Sequence, residues 1–162
     1  MGNQNEVRKN FGQRASEYRL STTHGNPVDL ERMINLINPT SDDIALDVAT
    51  GGGHTAIALA KYVNQLVAID ITPEMLAEAE KASKQESINN ISFRTEDVHN
   101  FNIADSQFDI VASRFAVHHF SDVKRALKEM CRVLKPGGKF YILDCSVFDG
   151  EERKKKLIAL SY

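Results

Sequence analysis

The sequence is poor in cysteine, in net charge and in long apolar runs. Its two cysteines, Cys131 and Cys145, fall at no metal-ligand spacing and form no disulfide framework, which suits a reducing cytosol. Formal net charge is -2 over 162 residues, so no global field draws the chain to nucleic acid or to an acidic membrane surface. No apolar run reaches the roughly 18 residues of a membrane span, and the polar start MGNQNEVRKN is not a signal peptide. There is no internal repeat and no low-complexity segment. The basic cluster Arg153, Lys154, Lys155 and Lys156 lies beside Glu151 and Glu152 and reads as the solvated face of a helix. These absences predict a cytoplasmic location, no membrane or nucleic-acid partner and no metal site. The length suits one domain with a real core, and 42% hydrophobic with 26% charged residues is ordinary for a globular chain.

Periodicity supplies the architecture. Val7, Phe11, Ala15 and Tyr18 recur at helical spacing, as do Leu30, Met33, Ile34 and Ile37, and STTHGNP between them reads as a loop. After Pro39 short apolar strands alternate with helices. IALDV (44–48), LVAID (66–70), ISFRT (91–95), FDIVAS (108–113) and KFYILDCSVF (139–148) are strands one to five. Helices are expected over HTAIALAKYV, after a Thr72 cap and Pro73, and after a Ser121 cap up to Pro136-Gly137-Gly138. A last helix is expected from about Gly150 to the end. Strands apolar on both faces and alternating with helices predict a parallel sheet covered on two sides, with ligands beyond its C-terminal strand tips.

The chemistry concentrates after strand one, in LDVATGGGHTA (46–56). One glycine serves a turn; three adjacent ones ask for close approach to the backbone. The Gly-Lys-Ser/Thr ending of a phosphate-binding loop is missing, which argues against triphosphate hydrolysis. Gly51, Gly53 and Ala56 fit G-x-G-x-x-G/A, and Asp70 lies about 20 residues on, placed to accept both hydroxyls of a ribose. A nicotinamide dinucleotide and S-adenosylmethionine both carry such a ribose. Asp47 breaks the tie, since a carboxylate beside the glycines repels a pyrophosphate and suits an ammonium and a sulfonium. Asp97, in RTEDV, is placed to accept from an adenine amino group, with Val98 against the ring.

With these residues in hand the sequence resembles the class I S-adenosylmethionine-dependent methyltransferases, and within them the group of the ubiquinone and menaquinone biosynthesis C-methyltransferases. The resemblance runs from about Phe11 to Phe148 and is carried by LDVATGGGHTA, VAIDIT, EDVHN, FDIVASRFAVHHF and RVLKPGGKF. It implies an α/β, doubly wound Rossmann-like sheet in the order 3-2-1-4-5 with helices on both faces. Residues 1–38 would form a helical lid, with Phe11 and Tyr18 over the cofactor, and residues 39–162 the cofactor-binding domain. Gly51 and Gly53 would lie against the methionine part of S-adenosylmethionine and Asp47 near its amino end. Asp70 would take the ribose, and Ile71, Asp97 and Val98 the adenine. Arg114 matches a position whose backbone meets the cofactor's amino-acid end. Ala49 stands where many members have the first glycine of D-x-G-x-G-x-G.

The resemblance also implies a sixth and a seventh strand, the seventh antiparallel, which the sequence is expected to lack. Strand five would then be an exposed, apolar edge, and self-association into a homodimer through it is expected. Methyl transfer to a small-molecule acceptor is the expected activity, with His118 or His119 as the candidate base where the acceptor must lose a proton. The plain alternative for either histidine is a backbone hydrogen bond. The rival functions are a cofactor-binding module without catalysis and a nicotinamide-dependent oxidoreductase.

Overall fold

A computed structural model describes residues 11–148 and 151–161. Val7 of the expected first helix lies outside them. The chain runs through α1 (Ala15–Arg19), α2 (Pro27–Ile37), β1 (Ile44–Val48), α3 (His54–Ala60), β2 (Gln65–Asp70), α4 (Pro73–Gln85), β3 (Ile91–Thr95), β4 (Phe108–Arg114), a 3₁₀ turn (Val117–His119), α5 (Val123–Val133), β5 (Leu134–Phe148) and β6 (Glu151–Ser161). The sheet order is β3-β2-β1-β4-β5-β6. The first five strands are parallel, and only β6 runs antiparallel, along β5.

Local chemistry starts and stops the helices. The Asn26 side chain accepts from the backbone N–H of Val28 and Asp29, and Pro27 fills the first turn of α2, where no N–H is needed. Pro73 does the same for α4. Two expected caps are corrected. Thr72 precedes α4, but its side chain makes no capping bond; the backbone N–H of Thr72 is itself held by Asp70. Asp122, not Ser121, caps α5, accepting from Arg125 N–H.

Strand alternation sends side chains to two cores. Ala45 packs with Met33, Ile37, Leu59 and Leu66 on one side of the sheet, whereas Leu46 and Val48 pack with Ile69, Met130 and Val133 on the other. Between Phe108 and Ile110 the β4–β5 register slips, from Phe108 opposite Leu134 to Ile110 opposite Lys139. The intervening Lys135-Pro136-Gly137-Gly138 bulges out, with Gly137 at φ +78°.

The C-terminal reading is overturned. Residues 151–161 form β6, not a helix, and they pair with β5 from Lys139–Ser161 to Phe148–Glu151. Strand five is therefore not an edge, and the expected homodimer loses the surface it relied on. The sequence was expected to lack an antiparallel strand after strand five, and β6 is one. The basic run Arg153–Lys156 sits on that strand.

Candidate active site at the strand tips

The carboxyl ends of β1, β2 and β4 open into a cavity of about 1090 Å³, counting its mouth. This is the switch point of the sheet, where successive crossovers leave in opposite directions. The turn after β1 forms its floor. Ala49 leaves the strand at φ +57°, a left-handed conformation that costs an L-residue roughly 1–2 kcal/mol. That geometry explains why glycine suits the position. Phe115, just past β4, is also left-handed, at φ +54°, and also lines the cavity. Backbone strain of this kind gathers where a site demands it.

The three glycines serve three purposes. A Cβ on Gly51, at φ +52°, would meet nothing within 4 Å, so this residue exposes bare backbone to the cavity. A Cβ on Gly52 would come within 3.0 Å of Arg19 Cα, so Gly52 lets α1 lie on the loop. A Cβ on Gly53, at φ +84°, would come within 2.8 Å of Ala79 Cβ. Gly53 thus lets the loop lie against α4, and it does not line the cavity.

Asp70 braces the floor. Its Oδ2 accepts from Gly51 N–H at 2.9 Å and its Oδ1 from Thr72 N–H at 2.9 Å. Burial pushes its carboxyl above the usual range, and those backbone donors oppose the shift. Asp47 lies elsewhere than the cavity wall. It is 1% exposed and takes a 2.6 Å hydrogen bond from the Thr50 hydroxyl. Burial raises it to about 7, against the pull of Thr50 and of the Arg114 charge. From this turn Ala49, Thr50, Gly51 and Gly52 line the cavity.

Ile71, Asp97 and Val98 line the same cavity beyond Asp70. Asp97 Oδ1 accepts from both the backbone N–H and the Nδ1–H of His99, at 2.9 and 2.7 Å. His99 Nε2 in turn accepts from Asp122 N–H at 3.2 Å, so His99 ties this loop to the start of α5. Sequence reasoning missed His99; its position two residues after an Asx-turn aspartate was the available signal.

Arg114 ends β4 and is only 7% exposed. Its Nη1 donates to His24 O and Thr55 Oγ1, both at 3.3 Å, while its Nε and Nη2 have no partner among the described residues. Burial pulls its pKa down. Around it, burial also holds the imidazoles of His24 and His54 below their usual range. A buried guanidinium with two donors left over has the chemistry to bind a carboxylate.

The lid residues and the paired histidines complete the wall. Phe11, Tyr18, His24 and Phe115 form a chain of ring contacts, with centroids 5.2 to 5.4 Å apart. His119 lines the cavity, edge-on to Phe11 at 5.0 Å. His118 points away from the wall, toward Asp144. Of the residues singled out in the sequence, the cavity gathers Tyr18, Ala49, Gly51, Asp70, Ile71, Asp97, Val98, Arg114 and His119, and leaves Asp47, Gly53 and His118 outside its lining.

The family profile described as Methyltransferase domain matches residues 46–142. The chain belongs to that family. The methyltransferase chain is 34% identical over 134 residues to the uncharacterized methyltransferase YcgJ of Bacillus subtilis, covering 83% of itself and 53% of the relative. It is 33% identical over 113 residues to the ubiquinone/menaquinone biosynthesis C-methyltransferase UbiE of Zymomonas mobilis, covering 70% and 47%. Among solved structures, the Bacillus YcgJ protein superposes with a TM-score of 0.70 at 35% identity, over 72% of this chain and 50% of that one. A SAM-dependent methyltransferase from Aquifex aeolicus superposes at 0.68 with 25% identity, over 76% and 69%. The chain spans about half the length of the curated relatives it matches. Membership is in the class I, UbiE-like group, and the cofactor that goes with it is S-adenosylmethionine.

The residues present fit that cofactor. The bare backbone of Gly51, the acid Asp70 and the idle donors of Arg114 are what a ribose and an amino-acid carboxylate need. Among the described residues no cluster of His, Cys, Asp and Glu could hold a metal ion, and no helix is long and apolar enough to cross a membrane.

Proposed function

We propose that this chain is the cofactor-binding part of a cytoplasmic methyltransferase that acts on a small-molecule acceptor. The observation that carries the reading is the buried Arg114 guanidinium, with two donors unpartnered, in a cavity that Asp70 and Asp97 line from across β1. An amino acid joined to an adenosine presents a carboxylate to the guanidinium and hydroxyls and an amino group to the two acids. When bound, S-adenosylmethionine supplies a methyl group activated by sulfonium for in-line displacement. The protein's part is position, and orientation is worth roughly 7–11 kcal/mol of barrier.

Each residue then has a task. Arg114 holds the carboxylate, with Asp47 behind it tuning the charge of the floor. Asp70 holds the ribose, while Ile71, Asp97 and Val98 frame the adenine. Residues 1–38 act as the lid, with Phe11 and Tyr18 excluding water. His119 accepts a proton from the acceptor where one must leave. UbiE, a C-methyltransferase by name, makes an aromatic or enolic acceptor the first class to try. A second reading is cofactor binding without transfer.

Thermal melting separates these from the oxidoreductase rival. S-adenosylhomocysteine at about 100 times its Kd should stabilise the protein by about 2.7 kcal/mol, and NADH should leave the midpoint unchanged. The reverse pattern of shifts would sink the methyltransferase reading. A tritiated-methyl screen against quinols, phenols and amines then distinguishes transfer from binding alone.

A further inference from the structure

Asp144 sits on β5 beside the 3₁₀ turn, outside every motif that the family match explains. Both of its carboxylate oxygens are directed at His118. Oδ2 accepts from the backbone N–H at 2.9 Å, and Oδ1 accepts from the ring Nδ1–H at 2.6 Å. The carboxylate is largely covered, its side chain 15% exposed against 42% for His118. A two-point grip of this kind fixes both the turn and the ring. It also fixes the tautomer, since Nδ1 must carry the proton to donate.

The His118 ring lies 3.8 Å from the His119 ring, centroid to centroid, at an interplanar angle of 46°. His119 is the member of the pair that lines the cavity. Its other neighbours are the Phe11 ring on one side and, among charged or titratable groups, His24 and Asp144. Burial, then the neighbouring His118 and His24, hold the His119 imidazole below its usual range, while Asp144 pulls the other way.

We infer that Asp144 is a positioning residue that acts through His118 to hold His119 as a proton acceptor on the cavity wall. The inference rests on the methyltransferase reading for its purpose and on the geometry for its substance. One proton passes from a hydroxyl or other acidic group of the acceptor to the His119 ring, leaving its electron pair on the acceptor. The imidazolium so formed faces the Asp144 charge across His118, which offsets the burial that otherwise disfavours it. Without Asp144, His118 turns freely and the cationic form of His119 loses its counter-charge.

Long-range ¹H–¹⁵N spectra of the imidazoles, recorded against pH on the full chain without ligand, test this. In the unaltered protein His118 should be the Nδ1–H tautomer. Asp144→Asn should lower the His119 midpoint by about half a pH unit or more, and Asp144→Glu should restore part of it. In a His118→Gln background, Asp144→Asn should move the His119 midpoint less, keeping only the part that the Asp144 charge exerts directly. An Nε2–H tautomer at His118 in the unaltered protein overturns the proposal whether or not any variant folds. So does a His119 midpoint that Asp144→Asn leaves in place, or one that it moves equally in both backgrounds. None of these readings needs the cofactor. A protein that ignores S-adenosylhomocysteine therefore counts against the methyltransferase reading alone.

Discussion

Arg114 shows how stability and binding part company at a single residue. A buried guanidinium left without two of its bonds is destabilising in the empty protein. Arg114→Met keeps the length and removes the charge. The melting temperature of the ligand-free protein should hold or rise, while affinity for S-adenosylhomocysteine falls by roughly tenfold or more, the worth of a charge-assisted bond of about 1.5–3 kcal/mol. Calorimetry with and without ligand checks both halves; unchanged affinity would remove Arg114 from the carboxylate site. Asp47 gives the pH counterpart. Its folded-state value of about 7 lies above its unfolded value, so the folded protein keeps a proton that the unfolded chain releases. Its contribution is full below about pH 4 and is lost as pH rises to about 7. Asp47→Asn has no such slope. Denaturant melts should therefore show the variant gaining on the parent across that interval, by up to about 1.4 kcal/mol for each unit of displacement. Equal slopes would mean that Asp47 is ionised when folded.

At the scale of elements, the glycine loop lies directly against α4 at Ala79. Gly53→Ala forces a methyl group against Ala79 and a left-handed conformation on alanine. The variant should lose about 2 kcal/mol or more in urea unfolding; a loss below about 0.5 kcal/mol would mean the loop and α4 separate easily. Elements were also where the sequence was most and least legible. Strands one, two, four and five announced themselves as apolar runs, because a strand covered on both faces admits little else, while the outer strand three showed only its alternation of Ile91 and Phe93 with polar residues. Residues 151–161 misled, because Glu, Lys, Leu and Ala favour a helix locally and only the pairing offered by β5 makes them a strand. The carboxylates at the ends of β1 and β2, Asp47 and Asp70, were legible as positions. That Asp47 turns to Thr50 and away from the cavity was not, since one step along a strand decides which face a side chain takes. His99 and Asp144 escaped because their partners are far away in sequence or belong to another element, as Asp122 and His118 do.

Across the whole molecule the charge is arranged as a gradient over the cavity. Asp70 and Asp97 line it from the β2 and β3 side of β1, and Arg114 lines it from the β4 side. The carboxylates expected around the cofactor thus share the cavity with a cation, which suits a ligand with unlike ends. The sheet that carries them is most secure at its middle. β1 and β4 each have a strand on both sides, whereas β3 is an outer strand with largely exposed positions. Native-state hydrogen exchange should find the slowest amides in β1 and β4 and faster ones in β3. Equal protection throughout would mean that the domain opens only as one unit.

The antiparallel return of β6 also bears on the order in which the chain folds. Each parallel neighbour must wait for a crossover to close, but only two positions separate Phe148 from Glu151. A ribbon of that kind assembles in roughly 1–10 μs, well ahead of distant contacts. The apolar strand most exposed to misassembly thus acquires a companion before the rest of the sheet arrives.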